Sequence, residues 1–272
     1  MSLSVLVALA RLRVSSMVGA ATVFGALLAG GPVGVGLWAG LGSVLLCAGC
    51  SALNQVQERG RDRLMERTRE RPLPSEAVTI LQALACAFAF MAVGLCFYGF
   101  LGGWPLAALG LTVILFYNGL YTPLKPVSTL SLLLGGLPGA IPPLAGWLAV
   151  GGMGSDPRIL AVCGVFYLWQ VPHFWLIAER HREDYERAGF AVPSLVLPKP
   201  LRGPLMGLWM LAYFTAILGM ALVLPETAAW AFASAAMGFA TVTGFFVLGR
   251  KRAALISLNA VMALTMLCFL AT

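Results

Sequence analysis

The chain has 272 residues, 60% of them hydrophobic and 11% charged, and its mean hydropathy is +0.88. An ordinary soluble domain is about 25% charged, so this composition excludes a water-soluble fold and describes an all-α integral membrane protein, read as a single domain over residues 1–272. The formal charge of +7 raises nucleic acid as a partner, but the cations fall where a lipid bilayer orients a chain, and no nucleic-acid partner is expected.

Charge-free runs cover residues 14–57, 77–124, 126–155, 159–178, 203–225, 227–249 and 253–272. About 20 apolar residues cross a bilayer as a helix, so the first two runs hold two spans each and the others one, nine in all. The double runs divide at Gly30-Gly31-Pro32 and near Gly102-Gly103-Trp104-Pro105, where glycine and proline punctuate helices. Met1 to Ser16 is short, carries Arg11 and Arg13 and leads directly into a span, so no cleavable signal is expected and the location is a prokaryotic cytoplasmic (inner) membrane. With the N-terminus cytoplasmic, every Lys and Arg except Arg158 lies on the inner side, which meets the positive-inside rule.

The second span delivers the stretch Asn54 to Pro74, N-Q-V-Q-E-R-G-R-D-R-L-M-E-R-T-R-E-R-P-L-P, to that inner face. It sets Asn54, Glu58, Asp62, Glu66 and Glu70 four residues apart, beside Arg59, Arg63, Arg67 and Arg71. Like charges at this spacing oppose a helix by roughly 0.2–0.5 kcal/mol each, so an acidic row of this kind fits a bound cation rather than a salt-bridged helix. Arg71-Pro72 and Pro74 stop any helix there. Cys47-x-x-Cys50 leads down to Asn54; it and the remaining cysteines, all in apolar runs, read as small buried hydrophobes.

The fourth span ends in Phe116-Tyr117-Asn118-Gly119-Leu120-Tyr121-Thr122-Pro123-Leu124-Lys125, an aromatic inner end with a single cation. The fifth contains G-G-L-P-G-A-I-P-P-L-A-G-W over 135–147. So many glycines and prolines imply a broken helix, tolerated at membrane depth only where protein or a cavity satisfies the freed backbone groups. The sixth carries Trp169, Gln170, His173, Trp175 and Glu179 and continues into R-H-R-E-D-Y, with Arg180, Glu183 and Asp184. Polar groups at that depth face a bundle interior, and the acids form a second, smaller cluster on the same side as the first. Spans seven to nine are read as scaffold and lipid-facing wall.

Two acidic clusters flanked by arginine, beside a broken cavity helix, suit a polyphosphate carried by a divalent metal with an apolar chain in the bundle. Magnesium takes few carboxylates and fills its octahedron with water and phosphate oxygens, and arginine forks pair with the oxygens left over.

Asn54-x3-Glu58-x3-Asp62 resembles the N-x-x-x-D-x-x-x-D signature of the UbiA superfamily of intramembrane prenyltransferases. Its continuation D-R-L-M-E-R-T-R-E-R-P-L-P, with Y-T-P-L-K, G-G-L-P-G-A-I-P-P-L-A-G-W, W-Q-V-P-H-F and D-Y-E-R-A-G, is similar to the protohaem IX farnesyltransferase branch, over roughly residues 54–198. The chain departs from that pattern at Glu58, where the branch has Asp, and at Pro126, Ser128 and Ser131, where it has Arg, Thr and Asn. Glu179 and Glu183 add acid where the branch has apolar or basic residues.

The resemblance implies a nine-helix bundle with a central cavity opening near the cytoplasmic side. It also implies magnesium-dependent transfer of a farnesyl group from farnesyl diphosphate to a vinyl group of protohaem IX, haem b being substrate and not prosthetic group. Asn54, Glu58, Asp62, Glu183 and Asp184 would form the catalytic metal-diphosphate site. Arg67, Arg71, Lys125 and Arg180 would hold phosphate or propionate oxygens. Tyr117, Tyr121, Trp169 and Trp175 would shield the allylic cation, and Gln170 and His173 would line the acceptor site, with His173 touching haem. The product would pass to a haem-modifying membrane enzyme. An aromatic quinone precursor or a chlorophyll-type acceptor is the nearest alternative. A transporter is a distant one, since Gly60-Arg61-Asp62-Arg63 is superficially like the basic loop of major-facilitator carriers.

Overall fold

The computed structural model describes residues 1–270 and is all-helical. Helices α1 (Leu3–Leu9) and α2 (Leu12–Leu28) form a pair bent by 59° at Arg11, which adopts a left-handed backbone with φ 46°. After a turn through Gly30, α3 (Val33–Asp62) runs 30 residues and ends inside the charged stretch. Helix α4 (Ile80–Ile114) starts from a reciprocal capping box between Thr79 and Gln82.

The α4 segment is not one rod. Gly103 takes φ 62° and ψ −157°, a conformation that side-chain-bearing residues avoid. A Cβ built on Gly110 would stand 2.9 Å from the Tyr98 ring, whereas residues 12 apart on a straight helix are separated by about 18 Å. The chain therefore doubles back at Gly103, at the glycine pair where the sequence places the division. Its returning limb ends in a π-helical turn (Leu115–Tyr121), followed by α5 (Thr122–Leu124).

Helices α6 (Ser131–Ala140) and α7 (Pro142–Ala149) are two halves of one apolar segment, broken at Ile141 ahead of Pro142 and Pro143. Helix α8 (Pro157–Arg180) begins at Asp156, whose carboxylate accepts from the Arg158 backbone N–H at 2.9 Å. It leads to the short α9 (Arg182–Arg187) and α10 (Pro193–Val196) on the charged face. Then α11 (Lys199–Gly219), α12 (Ala228–Val247) and α13 (Lys251–Leu270) complete the bundle. Among the described residues, seven helices are long and apolar enough to cross a membrane, or eight if the bent α1–α2 pair counts as one.

Lipid tails are as apolar as leucine, so helices in a membrane associate through close packing rather than through exclusion of water. Two regions carry that packing. On one side, α8, α11, α12 and α13 share a core containing Trp175, Met206, Met210, Tyr213, Ile217 and Leu258. On the other, α2, α3 and α7 approach through small residues: a Cβ on Gly146 would lie 1.8 Å from the Thr22 carbonyl oxygen, and one on Gly25 would lie 1.9 Å from that of Pro143. A buried chain of hydroxyls, Thr22 to Ser43 at 2.6 Å and Ser43 to Tyr98 at 2.7 Å, links this side to α4.

Candidate functional site

Three side chains one helical turn apart define one face of α3. Asn54, Glu58 and Asp62 are all buried, and each meets a partner from outside α3. Asn54 Nδ2 donates to Thr122 Oγ1 at 3.1 Å, and that hydroxyl donates to the Tyr117 carbonyl at 2.9 Å. Glu58 faces Lys125: Nζ donates to Oε2 at 3.2 Å and stands 3.0 Å from Oε1, without hydrogen-bond geometry to the latter. Oε1 is thus a buried carboxylate oxygen with no hydrogen bond among the described residues. Asp62 accepts from Arg71 Nη1 through both oxygens, at 3.0 and 2.9 Å.

The regular helix ends at Asp62, so the four-residue rows do not extend through the whole stretch. Thr68 Oγ1 donates to the Asp62 carbonyl at 2.9 Å and turns the chain, which brings Arg71 back over the end of α3. The cation that meets Asp62 is therefore Arg71 and not Arg59, which lies three residues before it on the helix. Glu66 pairs with Arg187 at 3.3 Å, and Glu70 is exposed and forms no ion pair among the described residues.

The second acidic cluster separates into individual roles. Asp184 is buried and accepts from the backbone N–H of Glu66 at 2.9 Å, from that of Arg67 at 3.3 Å, and from Arg187 Nη2. Burial acts to raise its carboxyl, but the hydrogen bonds from Glu66, Arg187 and Arg67 outweigh it and hold the group below the usual carboxylate range. Asp184 thereby ties α9 to the loop that carries Arg67 and Arg71. Glu179 pairs with Lys251 of α13 at 3.0 Å, while Glu183 and Arg180 are exposed and unpaired among the described residues. No group of three or more His, Cys, Asp or Glu side chains stands in metal-ligating proximity among the described residues.

The aromatic candidates also divide. Tyr117 and Tyr121 lie in the π-helical turn with ring centroids 5.3 Å apart, and Lys125 Nζ sits 4.7 Å from the Tyr121 ring centroid. Lys125 thus links the Tyr121 ring to the Glu58 carboxylate. A π turn widens the backbone and is often found at functional sites; here Asn118 pins it to α3, donating to the Cys50 carbonyl at 3.0 Å and to Gln57 Oε1 at 3.2 Å, while Gln57 Nε2 donates to the Asn118 carbonyl at 2.8 Å. Gln170 is buried against α6, where a Cβ on Gly139 would meet its amide at 2.3 Å. Trp169 stacks on His173 with centroids 4.5 Å apart. Trp175 instead packs into the α8–α11 core with Tyr213, a cluster that includes neither Tyr117 nor Tyr121.

The local field is positive. Arg71 is held below its ordinary value by burial, offset by Asp62 and lowered further by the neighbouring Arg11 and Arg67. His181 is likewise held low, by partial burial and then by Arg67 and Arg180. Arg11 is a residue the sequence reading left to topology. It sits half-buried at the α1–α2 bend, in a left-handed conformation uncommon for a residue with a side chain, and has no ion-pair partner among the described residues. The only signal for it was a cation interrupting an apolar segment. Asn118 and Asn259, single amides within apolar runs, carried a similarly faint one.

Comparison with known proteins gives this geometry a context. Residues 18–270 match the model of the UbiA prenyltransferase family. The chain is 44% identical over 209 residues to a protohaem IX farnesyltransferase of Oleidesulfovibrio alaskensis, covering 76% of this chain and 74% of that protein. Among solved structures, a UbiA homologue from Aeropyrum pernix superposes with a TM-score of 0.74 at 19% identity, covering 93% of this chain and 97% of the other. One from Archaeoglobus fulgidus, bound to DMAPP and Mg2+, superposes with 0.59 at 13% identity over 95% and 98%. At these identities the structural likenesses speak for the fold.

Proposed function

The chain belongs to the UbiA prenyltransferase family, and from that premise we propose that it transfers a farnesyl group from farnesyl diphosphate to a vinyl group of protohaem IX, giving haem O. The carrying observation is the pairing of each acid on α3 with a cation from another segment, Glu58 with Lys125 and Asp62 with Arg71. The haem acceptor is supported by the name of the relative at 44% identity. The protein is an integral membrane protein, and nine spans are our reading: the seven long helices, the bent α1–α2 pair, and the reversal at Gly103 that divides residues 80–124. The cation distribution favours a cytoplasmic N-terminus in a prokaryotic inner membrane.

The residues fit magnesium on the chemistry of the donors. Two carboxylates one turn apart, one with a buried oxygen lacking a hydrogen bond, are the sparse set that magnesium takes when phosphate completes its octahedron. Asn54, Glu58 and Asp62 would hold it, with Glu183 free to approach from α9. Bound there, it would neutralise charge on the leaving diphosphate. Lys125 and Arg71, released from Glu58 and Asp62, then donate to diphosphate oxygens, and Arg67 and Arg180 extend the cationic rim. The allylic C–O bond breaks and its electron pair leaves with diphosphate. The faces of Tyr117 and Tyr121 attract the allylic cation. The vinyl π bond supplies the electrons for the new C–C bond, and water adds to the remaining vinyl carbon and loses a proton. The transfer step itself requires no general base.

Incubating the purified protein with haem b, farnesyl diphosphate and magnesium tests the proposal by mass spectrometry. Haem carrying one added farnesyl and one added hydroxyl group is expected, and it should disappear with Asp62→Asn or on chelation. Unchanged haem, with an aromatic acceptor prenylated instead, would overturn the haem assignment and leave family membership standing.

A further inference from the structure

The last helix buries Thr265, which donates to its own backbone at the Val261 carbonyl, and carries the amide of Asn259 at its contact with α8. Asn259 of α13 lies in a charge-free run, and its Oδ1 stands 2.8 Å from His173 Nδ1 of α8. A polar pair at membrane depth is retained at a cost in insertion energy and marks a functional position by default. Glu179 and Lys251 join the same two helices nearer the charged face, so α8 and α13 are held together without the His173–Asn259 bond.

The chemistry of the bond fixes the imidazole. With the Asn259 amide oxygen toward the ring, Nδ1–H donates to it and Nε2 keeps its lone pair. Nε2 has no hydrogen-bond partner among the described residues and is not sealed from its surroundings. The ring plane is fixed as well, by Trp169 stacked at 4.5 Å and Phe174 meeting it edge-on at 5.4 Å. Beside it, Trp169 Nε1 is a buried donor with no acceptor among the described residues. A neutral imidazole with Nδ1–H on an oxygen acceptor and a bare, oriented Nε2 is the arrangement that metal-ligating histidines adopt; the outer hydrogen bond sets the tautomer and raises the basicity of the ligating nitrogen.

From this geometry we infer that His173 Nε2 ligates the iron of the porphyrin acceptor and that Asn259 is the positioning residue that sets its tautomer and ring orientation. The inference rests on the haem reading above and deepens it. Haem b offers an open axial position on its iron, and Nε2 offers a lone pair. Ligation on one face would fix the macrocycle in the bundle while leaving its vinyl edge free. The unpartnered Trp169 N–H supplies a donor for an acceptor atom on the ligand.

The test is spectroscopic. Purified full-length protein in detergent is titrated with haem b and, separately, with metal-free protoporphyrin IX, and prenyl transfer to haem b is measured on the same preparations. Asn259→Leu is expected to weaken haem b binding by about 10–100-fold and to shift the Soret band, leaving protoporphyrin affinity unchanged. Asn259→Asp retains an acceptor for Nδ1–H and should keep the wild-type spectrum. His173→Ala should lose the ligated spectrum and regain it with added imidazole. If Asn259→Leu weakens haem b and protoporphyrin equally, or if His173→Ala keeps the wild-type haem spectrum, the inference is overturned. Wild-type protein that farnesylates haem b with these substitutions silent overturns this inference alone; wild-type protein that neither binds nor farnesylates haem b overturns the haem reading with it.

Discussion

Removing Lys125 should make the protein a better metal binder and a worse diphosphate binder. Its ammonium stands 3.0 Å from a Glu58 carboxylate oxygen, and both side chains are largely buried, 19% and 9% exposed. At an effective dielectric of about 20, unit charges at that separation attract by about 5.5 kcal/mol. A divalent ion arriving alone must displace that attraction and leave Lys125 uncompensated. With Lys125→Met, the buried Glu58 has lost its counter-ion, and a cation restores it. Even a quarter of the attraction, about 1.4 kcal/mol, is tenfold in affinity. Titration of purified protein with Mn2+ in the absence of diphosphate, followed by electron paramagnetic resonance, should show at least a tenfold gain for Lys125→Met and little change for Lys125→Arg. The KM for prenyl diphosphate should rise in Lys125→Met. Mn2+ affinity that stays equal or falls would refute the exchange of counter-ions, and with it Glu58 as a metal ligand.

Three further outcomes follow from the same structure. Asp184→Ala leaves the Glu66 and Arg67 amides without their acceptor, a loss of about 2–3 kcal/mol for a charged partner, which hydrogen exchange should read as lost protection over residues 64–68. Because the folded Asp184 carboxyl lies below its ordinary value of about 3.9, that protection should be constant from about pH 5 to 8 and be lost only as pH falls through the depressed value. Arg11→Gln should raise the KM for prenyl diphosphate about tenfold with kcat nearly unchanged, the worth of one charge-assisted hydrogen bond of about 1.5 kcal/mol; an unchanged KM would place Arg11 outside the site. Gly146→Ala forces a methyl to within 1.8 Å of the Thr22 carbonyl oxygen, whereas Gly164→Ala on α8 meets open space. Thermal unfolding in detergent should therefore fall sharply for the first, by about 1–3 kcal/mol or more, and barely move for the second.

The sequence by itself determined the membrane class, the broken fifth segment and the face of α3 that carries Asn54, Glu58 and Asp62. These are local properties: hydropathy over about 20 residues, the breaking power of Gly and Pro, and a four-residue spacing that matches a helical turn. It also placed the division at Gly102-Gly103, since only glycine adopts the Gly103 backbone freely. What it could not determine was which charge answers which. Glu58 meets Lys125, 67 positions away, and Glu179 meets Lys251, 72 positions away. Asp184 faces the 63–71 loop rather than joining Glu183, and Trp175 turns into the core while Trp169, two turns earlier, stacks on His173. Such pairings depend on how helices are rotated and crossed, which small residues such as Gly25 and Gly146 set through steric contact between segments far apart in the chain. Hydropathy has no direction around the axis of a helix that is apolar on all sides, so the position of Asn259 opposite His173 was decided by tertiary packing alone.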